Sequence, residues 1–404
     1  MTDDRLQHLQ DVGRLLWPEP LGLQIGNAPY GAGVLHREYL LLPSARRPRL
    51  LVPRGRRAAT GALRGYGVGR GRSARLQAAV LTLGTAIGVA PLVLRDRVRL
   101  IGDGQPGGTA SIESHLAEVL GQDVLLSMYL GAPRANRKPV LQVLTPQGRT
   151  LAYVKVGVDP LTCRLVRDEA AALETLAAAG LRASTVPAVL HSGRWNHLEL
   201  LVQSPLPVGS SRGRPDRDRV VAAQVEVSEI GRTAEAALSG SPFWTALSRR
   251  IDELPDTAAA RTLADLRTGI EQRFGHVPLR LGAWHGDWTP WNTALAGDRL
   301  LVWDWERFAA PVPVGFDAVH WTLQTDLVNR LADPSESTRR SLASAPEVLE
   351  PFGVTAEQAR ATAVCYFAEL ATRYLADRQV EAGARLGDVG GWLLPAIGAA
   401  VTGE

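Results

Sequence analysis

The sequence predicts an α+β fold built from unlike parts, and three observations predict it. Residues 122–203 read as strand, strand, strand, helix, strand, strand, which is a small mixed β-sheet lobe with one helix rather than a doubly wound parallel sheet. From about residue 204 the apolar positions recur at helical spacing, giving a large, mainly helical lobe. Residues 1–121 add an extra N-terminal α+β unit before either lobe begins. At 404 residues the chain exceeds one typical domain, so the expected units are 1–121, 122–203 and 204–404.

The elements follow in chain order. A short helix is expected near 3–16, extended segments at REYLLLP (37–43) and RPRLLVP (47–53), and a helix near 73–88. PLVLRDRVRLIG (91–102) alternates apolar and polar residues like a tight hairpin, and GDGQPGGTAS (102–111) reads as a linker. DVLLSMYLG and PVLQVLTPQGRTLAYVKVG are strands broken by turns. In LTCRLVRDEAAALETLAAAGL (161–181), Leu165, Glu169, Leu173 and Leu176 recur every three or four residues, as on one helix face. VPAVLHSGRWNHLELLVQSP supplies two more strands. RPRLLVP, a helix and APLVLRDRVRLIG parallel RTLAYVK, a helix and VPAVLHSGRWNHLELLV, so the first unit reads as a degenerate copy of the second, with Pro53 standing where Lys155 stands. The plainer alternative is that small strand–helix–hairpin units look alike. Near the C-terminus, Thr355 and Gln358 have the spacing of a capping box for a helix through Tyr374.

Bulk properties exclude several classes. A 45% hydrophobic and 21% charged composition is that of a globular chain, not a disordered one. Cys163 and Cys365 lie far apart with no CxxC, so neither a disulfide framework nor a zinc site is supported. The acidic, amphipathic start is unlike a secretory signal, and a cytoplasmic protein is expected. Residues 76–94 are about long enough to span a bilayer, but Gln77, Thr82, Thr85, Pro91 and flanking arginines favour a buried helix and strand. No membrane contact is expected. Residues 1–203 carry about ten more basic than acidic side chains, and 204–404 about six more acidic than basic. The basic run from Arg46 to Arg75 has few aromatics and no legible recognition module, so nucleic acid is not an expected partner. Of 45 basic residues only Lys138 and Lys155 are lysine, which marks places where a compact ammonium on a flexible stem is needed.

One stretch concentrates chemistry. HGDWTPWN (285–292) holds His285, Asp287 and Asn292 at fixed spacing, and LVWDWE follows with Asp304. An aspartate that accepts a hydroxyl proton orients a nucleophile, while an asparagine oxygen and a second carboxylate suit Mg²⁺, a hard cation. Upstream lie a strand lysine (Lys155) and a helix glutamate (Glu169), and a lysine fixed by a glutamate on a neighbouring helix can grip nucleotide phosphates. Six of the ten tryptophans lie between 284 and 321, where they form dry walls whose indole N–H groups seek partners; Trp288 or Trp291 lining a substrate pocket is the functional alternative. His36, His191, His197 and His320 lack metal-ligand spacing and read as structural or surface residues, and no GxSxG elbow is present.

HGDWTPWN followed by LVWDWE resembles the aminoglycoside phosphotransferase and choline kinase-like group, over about residues 122 to 380. The resemblance implies a protein-kinase-like bilobal fold. It implies that Asp287 is the catalytic base, that Asn292 and Asp304 ligate Mg²⁺, and that Lys155, held by Glu169, contacts the α- and β-phosphates. His285 would brace the catalytic loop, and Asp317 in VGFDAVHW would support it from within the core. Main-chain groups of Ser204 and Leu206 would meet adenine at the hinge. The sequence departs from the family pattern at the glycine-rich loop: GAPRANRKP (131–139) offers Gly131 alone, then Arg134, Arg137 and Lys138. That loop covers phosphates with charge rather than by close backbone approach, or is a solvated basic hairpin tip. Glu306 replaces the usual glycine after Asp304. The implied function is a kinase that uses ATP or GTP with Mg²⁺ to phosphorylate a hydroxyl of a sugar, aminocyclitol or amino alcohol. The rival is a nucleotide-binding pseudokinase with a regulatory or scaffold role, motivated by the first 121 residues and the poor glycine loop.

Overall fold

A computed structural model describes residues 4–29, 33–66, 82, 95–102, 111–131, 137–208, 215–329, 332–381 and 386–403. The expected helix near 73–88, except Thr82, residues 91–94 of the expected 91–102 hairpin and most of the 102–111 linker lie outside the described residues. The chain divides into two compact units. The first comprises Met1–Pro133, Arg137–Ala171 and Pro187–Ser210; the second is chiefly Ala172–Val186 and Ser211–Glu404.

In the first unit the elements are α1 (Asp4–Leu16), β1 (Gly22–Gly26), β2 (Val34–Leu42), β3 (Leu50–Pro53), α2 (Arg56–Tyr66), β4 (Arg97–Gly102) and α3 (Ile112–Leu120). They continue with β5 (Leu125–Tyr129), β6 (Val140–Leu144), β7 (Thr150–Gly157) and α4 (Pro160–Ala179), which runs on into the second unit. After the two-residue strand β8 (Ser184–Thr185), which belongs to the second unit, β9 (Val189–Trp195) and β10 (Leu198–Gln203) complete the set. Among the described residues one nine-stranded sheet joins them in the order β1-β4-β2-β3-β5-β6-β7-β10-β9. Its pairings are antiparallel throughout, so the lobe expected to be mixed is not: the chain re-enters the sheet after α4 as a β9–β10 hairpin, and β10 runs against β7.

The boundary expected at residue 121 does not separate two units. β3 pairs with β5, Leu50 opposite Tyr129 and Leu51 opposite Met128, so the edge that β5 would expose is covered. Leu9, Trp17, Leu100 and Leu116 share one hydrophobic core with Leu126, Leu141, Val154 and Leu200. The copy reading fails on strand order. β4 inserts between β1 and β2, away from β3, whereas β10, which follows α4, lies beside β7. Two contacts lock the extension. Trp17 Nε1 donates to both oxygens of buried Glu113 at 3.0 and 2.7 Å, and the Tyr39 hydroxyl donates to the same carboxyl group, so the residue after α1, β2 and α3 are tied through one satisfied buried acid. A Cβ on Gly61 would fall 2.0 Å from the Gly148 carbonyl oxygen, so only glycine lets α2 lie against the β6–β7 turn.

In the second unit, β11 (Ala236–Ala237) pairs with β12 (Pro278–Leu279), β13 (Leu281–Trp284) with β16 (Ala309–Pro313), and β14 (Thr293–Ala296) with β15 (Arg299–Val302), which also pairs with β8. The helices are α5 (Arg217–Ser228), α6 (Pro242–Asp252), α7 (Ala258–Phe274), α8 (Phe316–Gln324), α9 (Pro334–Val348), α10 (Ala356–Ala376) and α11 (Leu393–Thr402). α10 is the core helix, with Ala363, Tyr366, Phe367 and Leu370 fully buried. Its expected capping box is present: the Thr355 hydroxyl accepts from Gln358 N–H at 3.2 Å, and Thr355 N–H donates to Gln358 Oε1 at 2.8 Å. Among the described residues no helix is long and apolar enough to cross a membrane.

Candidate active site

Two sets of functional side chains are assembled, one in each unit. In the first, Lys155 sits on β7, flanked in register by Val140 of β6 and Leu201 of β10. A short turn leads into α4. Val158 and Asp159 N–H donate to Thr162 Oγ1 at 3.0 and 3.1 Å, and Thr162 N–H donates to Asp159 Oδ1 at 2.9 Å. This turn fixes the helix so that Glu169 Oε1 lies 2.6 Å from Lys155 Nζ, both side chains buried. The expected lysine–glutamate pair is therefore formed. Ser204 is tied to Ala188 twice, by its N–H to Ala188 C=O and by its Oγ accepting Ala188 N–H, each at 2.9 Å, and Leu206 C=O accepts Val208 N–H at 2.8 Å. Ser204 N–H and Leu206 C=O, two main-chain groups of the expected hinge, are therefore engaged within the chain. Gly131 and Lys138 stand at the two ends of the β5–β6 connection, whose residues 132–136 lie outside the described ones.

In the second unit the HGDWTPWN segment runs from the end of β13 to the start of β14. Gly286 has φ 82°, and a Cβ there would lie 2.3 Å from the Arg307 carbonyl oxygen, so glycine is required at this turn. Asp317, in the first turn of α8, accepts His285 N–H at 2.7 Å and Gly286 N–H at 3.2 Å, the core support the resemblance implied. Burial pushes the Asp317 carboxyl up to about 7, against the two backbone donors that pull it down.

His285 is fully buried, with its ring 4.4 Å from Trp305 and 5.6 Å from Trp288. Its Nδ1 accepts Asp287 N–H at 3.0 Å, so the proton sits on Nε2, which donates to Trp303 C=O at 3.1 Å. Burial lowers its pKa to about 4 despite the nearby Asp287 carboxylate. It braces the loop as a neutral donor and acceptor. The unfolded chain therefore binds a proton that the folded one refuses, and this group's contribution is lost as pH falls from 6.5 toward 4, by about 3 kcal/mol at the lower end. Asp317, with its raised pKa, acts in the opposite sense in the same window. The expected result is thus a difference: urea midpoints of His285→Asn should depend less on acid than those of wild type.

Trp288 and Trp305 are fully buried against His285, which makes Trp288 a wall rather than a pocket lining; Trp291 is half-buried. The expectation that indole N–H groups find partners holds for Trp305, which donates to Val302 C=O, but Nε1 of Trp284 and Trp288 has no partner among the described residues.

The β14–β15 hairpin brings the two candidate metal ligands together. Thr293 pairs with Val302, and Trp303 N–H donates to Asn292 C=O at 3.1 Å, so Asn292 and Asp304 flank the open end of the hairpin. Asn292 Nδ2 donates to Asp287 C=O at 3.0 Å and to Asp287 Oδ2 at 3.1 Å, which commits its amide nitrogen and leaves the side-chain oxygen as the donor atom for a cation. Asp304 has φ 74°, a left-handed conformation that non-glycine residues seldom adopt and that costs about 1–2 kcal/mol. An amide oxygen and a carboxylate in this arrangement fit a hard divalent cation such as Mg²⁺. Asp304→Gly is expected to hold stability at or about 1 kcal/mol above wild type while weakening metal-dependent nucleotide binding, with thermal melts and titration as the two readouts.

Asp287 carries a partly exposed carboxylate, 37% accessible. Burial of the site opposes its charged form, but the hydrogen bond from His320 and the charge of Arg373 outweigh it and hold the pKa below the usual value. His320, read from sequence as structural or surface, lies inside the site: its Nε2 is 3.2 Å from Asp287 Oδ1 and its Nδ1 is 2.8 Å from the Tyr366 hydroxyl. The available signal was its spacing of three from Asp317 within one helix, which puts both on one face. Arg373 was missed with no local signal. It reaches from α10 to donate to Gly286 C=O and lies over the Trp284 and Tyr374 rings. Arg307, paired with Asp377, adds a second guanidinium nearby.

No family model and no curated protein matches the chain. Solved structures do. A thermostable mutant of aminoglycoside phosphotransferase APH(4)-Ia, in ternary complex with ADP and hygromycin B, shares 13% identity at a TM-score of 0.46, covering 72% of this chain and 98% of that one. Choline kinase LicA from Streptococcus pneumoniae shares 15% at 0.45, with 72% and 98% covered. Amicoumacin kinase hAmiN, in complex with AMP-PNP, Ca²⁺ and Ami, shares 9% at 0.43, with 69% and 88% covered. At identities this low the functional reading rests on the residues of the two sites. An aminoglycoside phosphotransferase, a choline kinase and an amicoumacin kinase are among the solved proteins to which this chain is similar.

Proposed function

We propose that the protein is a small-molecule kinase that moves the γ-phosphoryl group of ATP or GTP to a hydroxyl of a sugar, aminocyclitol or amino alcohol. The observation that carries this reading is Asp287: an ionised, solvent-reachable carboxylate held on one oxygen by Asn292 and on the other by His320. In the reaction the acceptor oxygen forms a bond to the γ-phosphorus, the bond from that phosphorus to the β–γ bridging oxygen breaks, and the hydroxyl proton passes to Asp287. A carboxylate with a low pKa is a weak base, so it orients the hydroxyl first and takes the proton late, as suits a loose transition state. Lys155 grips the α- and β-phosphates as a point charge, and Glu169 holds its ammonium in place at 2.6 Å. Asn292 and Asp304 would hold Mg²⁺, which, when bound, neutralises charge on the phosphates.

Calorimetric titration of Mg·ATP and Mg·GTP tests the reading, with Asp304→Ala as control. Binding that weakens in the variant supports it and identifies the preferred nucleotide. Absence of binding by either at millimolar concentration would sink it. The pseudokinase alternative predicts binding without Asp287-dependent turnover.

A further inference from the structure

We infer that His320 and Tyr366 form a positioning device that sets the orientation of the Asp287 carboxylate for transfer. The inference rests on the kinase reading above and adds to it a third layer of support behind the attacking hydroxyl.

The torsion that rotates an aspartate carboxylate about its last bond is soft, with broad wells. A general base needs its oxygen aimed to within a fraction of an ångström of the proton it accepts, so something must fix that torsion. Asn292 Nδ2 engages Oδ2 at 3.1 Å, but the same amide nitrogen also serves Asp287 C=O, and its oxygen would be the cation ligand. His320 supplies the second anchor, on Oδ1 at 3.2 Å. An ionised carboxylate only accepts, so Nε2 of His320 must carry the proton. Nδ1 is then a lone pair, and the Tyr366 hydroxyl 2.8 Å away donates to it.

Tyr366 is rigidly placed. It is fully buried on α10, with edge contacts to Trp284 at 6.2 Å, Phe316 at 5.8 Å and Phe367 at 5.0 Å. The His320 ring meets the Tyr366 ring edge-on at 5.9 Å. His320 itself is 1% exposed, and burial favours its neutral form. The tautomer is thus fixed from the core outward: tyrosine hydroxyl to imidazole, imidazole to carboxylate. One turn of α8 does double service. Asp317 holds the backbone of His285 and Gly286, and His320, three residues on, holds the side chain of Asp287.

A satisfied core histidine would show the same distances, so the test separates positioning from packing. His320→Gln keeps an N–H donor at the reach of Nε2, His320→Leu removes it, and Tyr366→Phe removes the hydroxyl that fixes the tautomer. Each is compared with wild type for kcat and for nucleotide KM, using Mg·ATP or Mg·GTP with water and with a panel of polyols and amino alcohols as acceptors, after urea titration has set the folded fraction. The expected result is a kcat on the order of 10²-fold lower in His320→Leu and about tenfold lower in Tyr366→Phe, with His320→Gln within a few-fold of wild type and KM for nucleotide unchanged in all three. Equal losses in His320→Leu and His320→Gln, no loss in either, or a change confined to KM would overturn the inference and leave the kinase reading standing. Should His320→Leu fail to fold, full kcat in Tyr366→Phe together with a loss in His320→Gln overturns it as well. A wild type that binds no nucleotide, or binds without turnover, overturns the kinase reading itself.

Discussion

Asp287→Asn is expected to lower phosphoryl transfer by roughly 10²–10⁴-fold while nucleotide affinity stays within a few-fold of wild type. The substitution keeps the shape of the side chain and removes its capacity to accept the hydroxyl proton. It also forces a choice on the neighbours: an amide must offer N–H to either Asn292 Nδ2 or His320 Nε2, both of which are donors, so one hydrogen bond is exchanged for a clash of donors. The loss should therefore appear in kcat, with a modest fall in stability. Single-turnover transfer and calorimetric titration measure the two quantities on the same preparation. Transfer at the wild-type rate would remove Asp287 from the mechanism.

The second large effect is on stability. Lys155 and Glu169 form a buried ion pair at 2.6 Å. Glu169→Ala leaves an ammonium in the interior without its carboxylate, which is expected to cost about 3–5 kcal/mol. Replacing both partners by apolar residues of similar size, Lys155→Met with Glu169→Leu, is expected to restore stability to near wild type, because two desolvated charges are removed together. The double variant should nevertheless fail to bind nucleotide, since the phosphate-gripping cation is gone. Urea unfolding of the two variants decides the point: a double variant as unstable as Glu169→Ala would show that the pair is valued for packing, not charge balance.

Much of this site was legible because its parts are local in sequence. His285, Asp287 and Asn292 fall within one loop, and Asn292 and Asp304 flank one hairpin, so spacing alone brought them together. Lys155 and Glu169 are joined by one tight turn, and the strand and helix that carry them read directly from their periodicity. The rest was not legible because it depends on long-range packing. Arg373 reaches Gly286 from 87 residues away, and Tyr366 reaches His320 from 46. The Glu113 clamp joins the residue after α1, β2 and α3 across nearly a hundred residues, and no local pattern distinguishes a buried glutamate from a surface one. The first 121 residues misled for a related reason. Strand count and order along the chain matched those of the following segment, but strand order in the sheet is decided by which edges are left open, and β4 closes between β1 and β2.

The pairing of β3 with β5 also bears on how the protein is made. During synthesis β1 to β4 leave the ribosome before the lysine-bearing strand β7 does. β5 therefore emerges onto a finished edge rather than into solvent, where a bare strand would recruit strangers. The leading segment serves as an internal mould for the strands behind it. Its sequence is then constrained by the need to receive β5 even where it touches no ligand, and a change on β3 is felt first as aggregation of nascent chains rather than as a loss of catalytic rate.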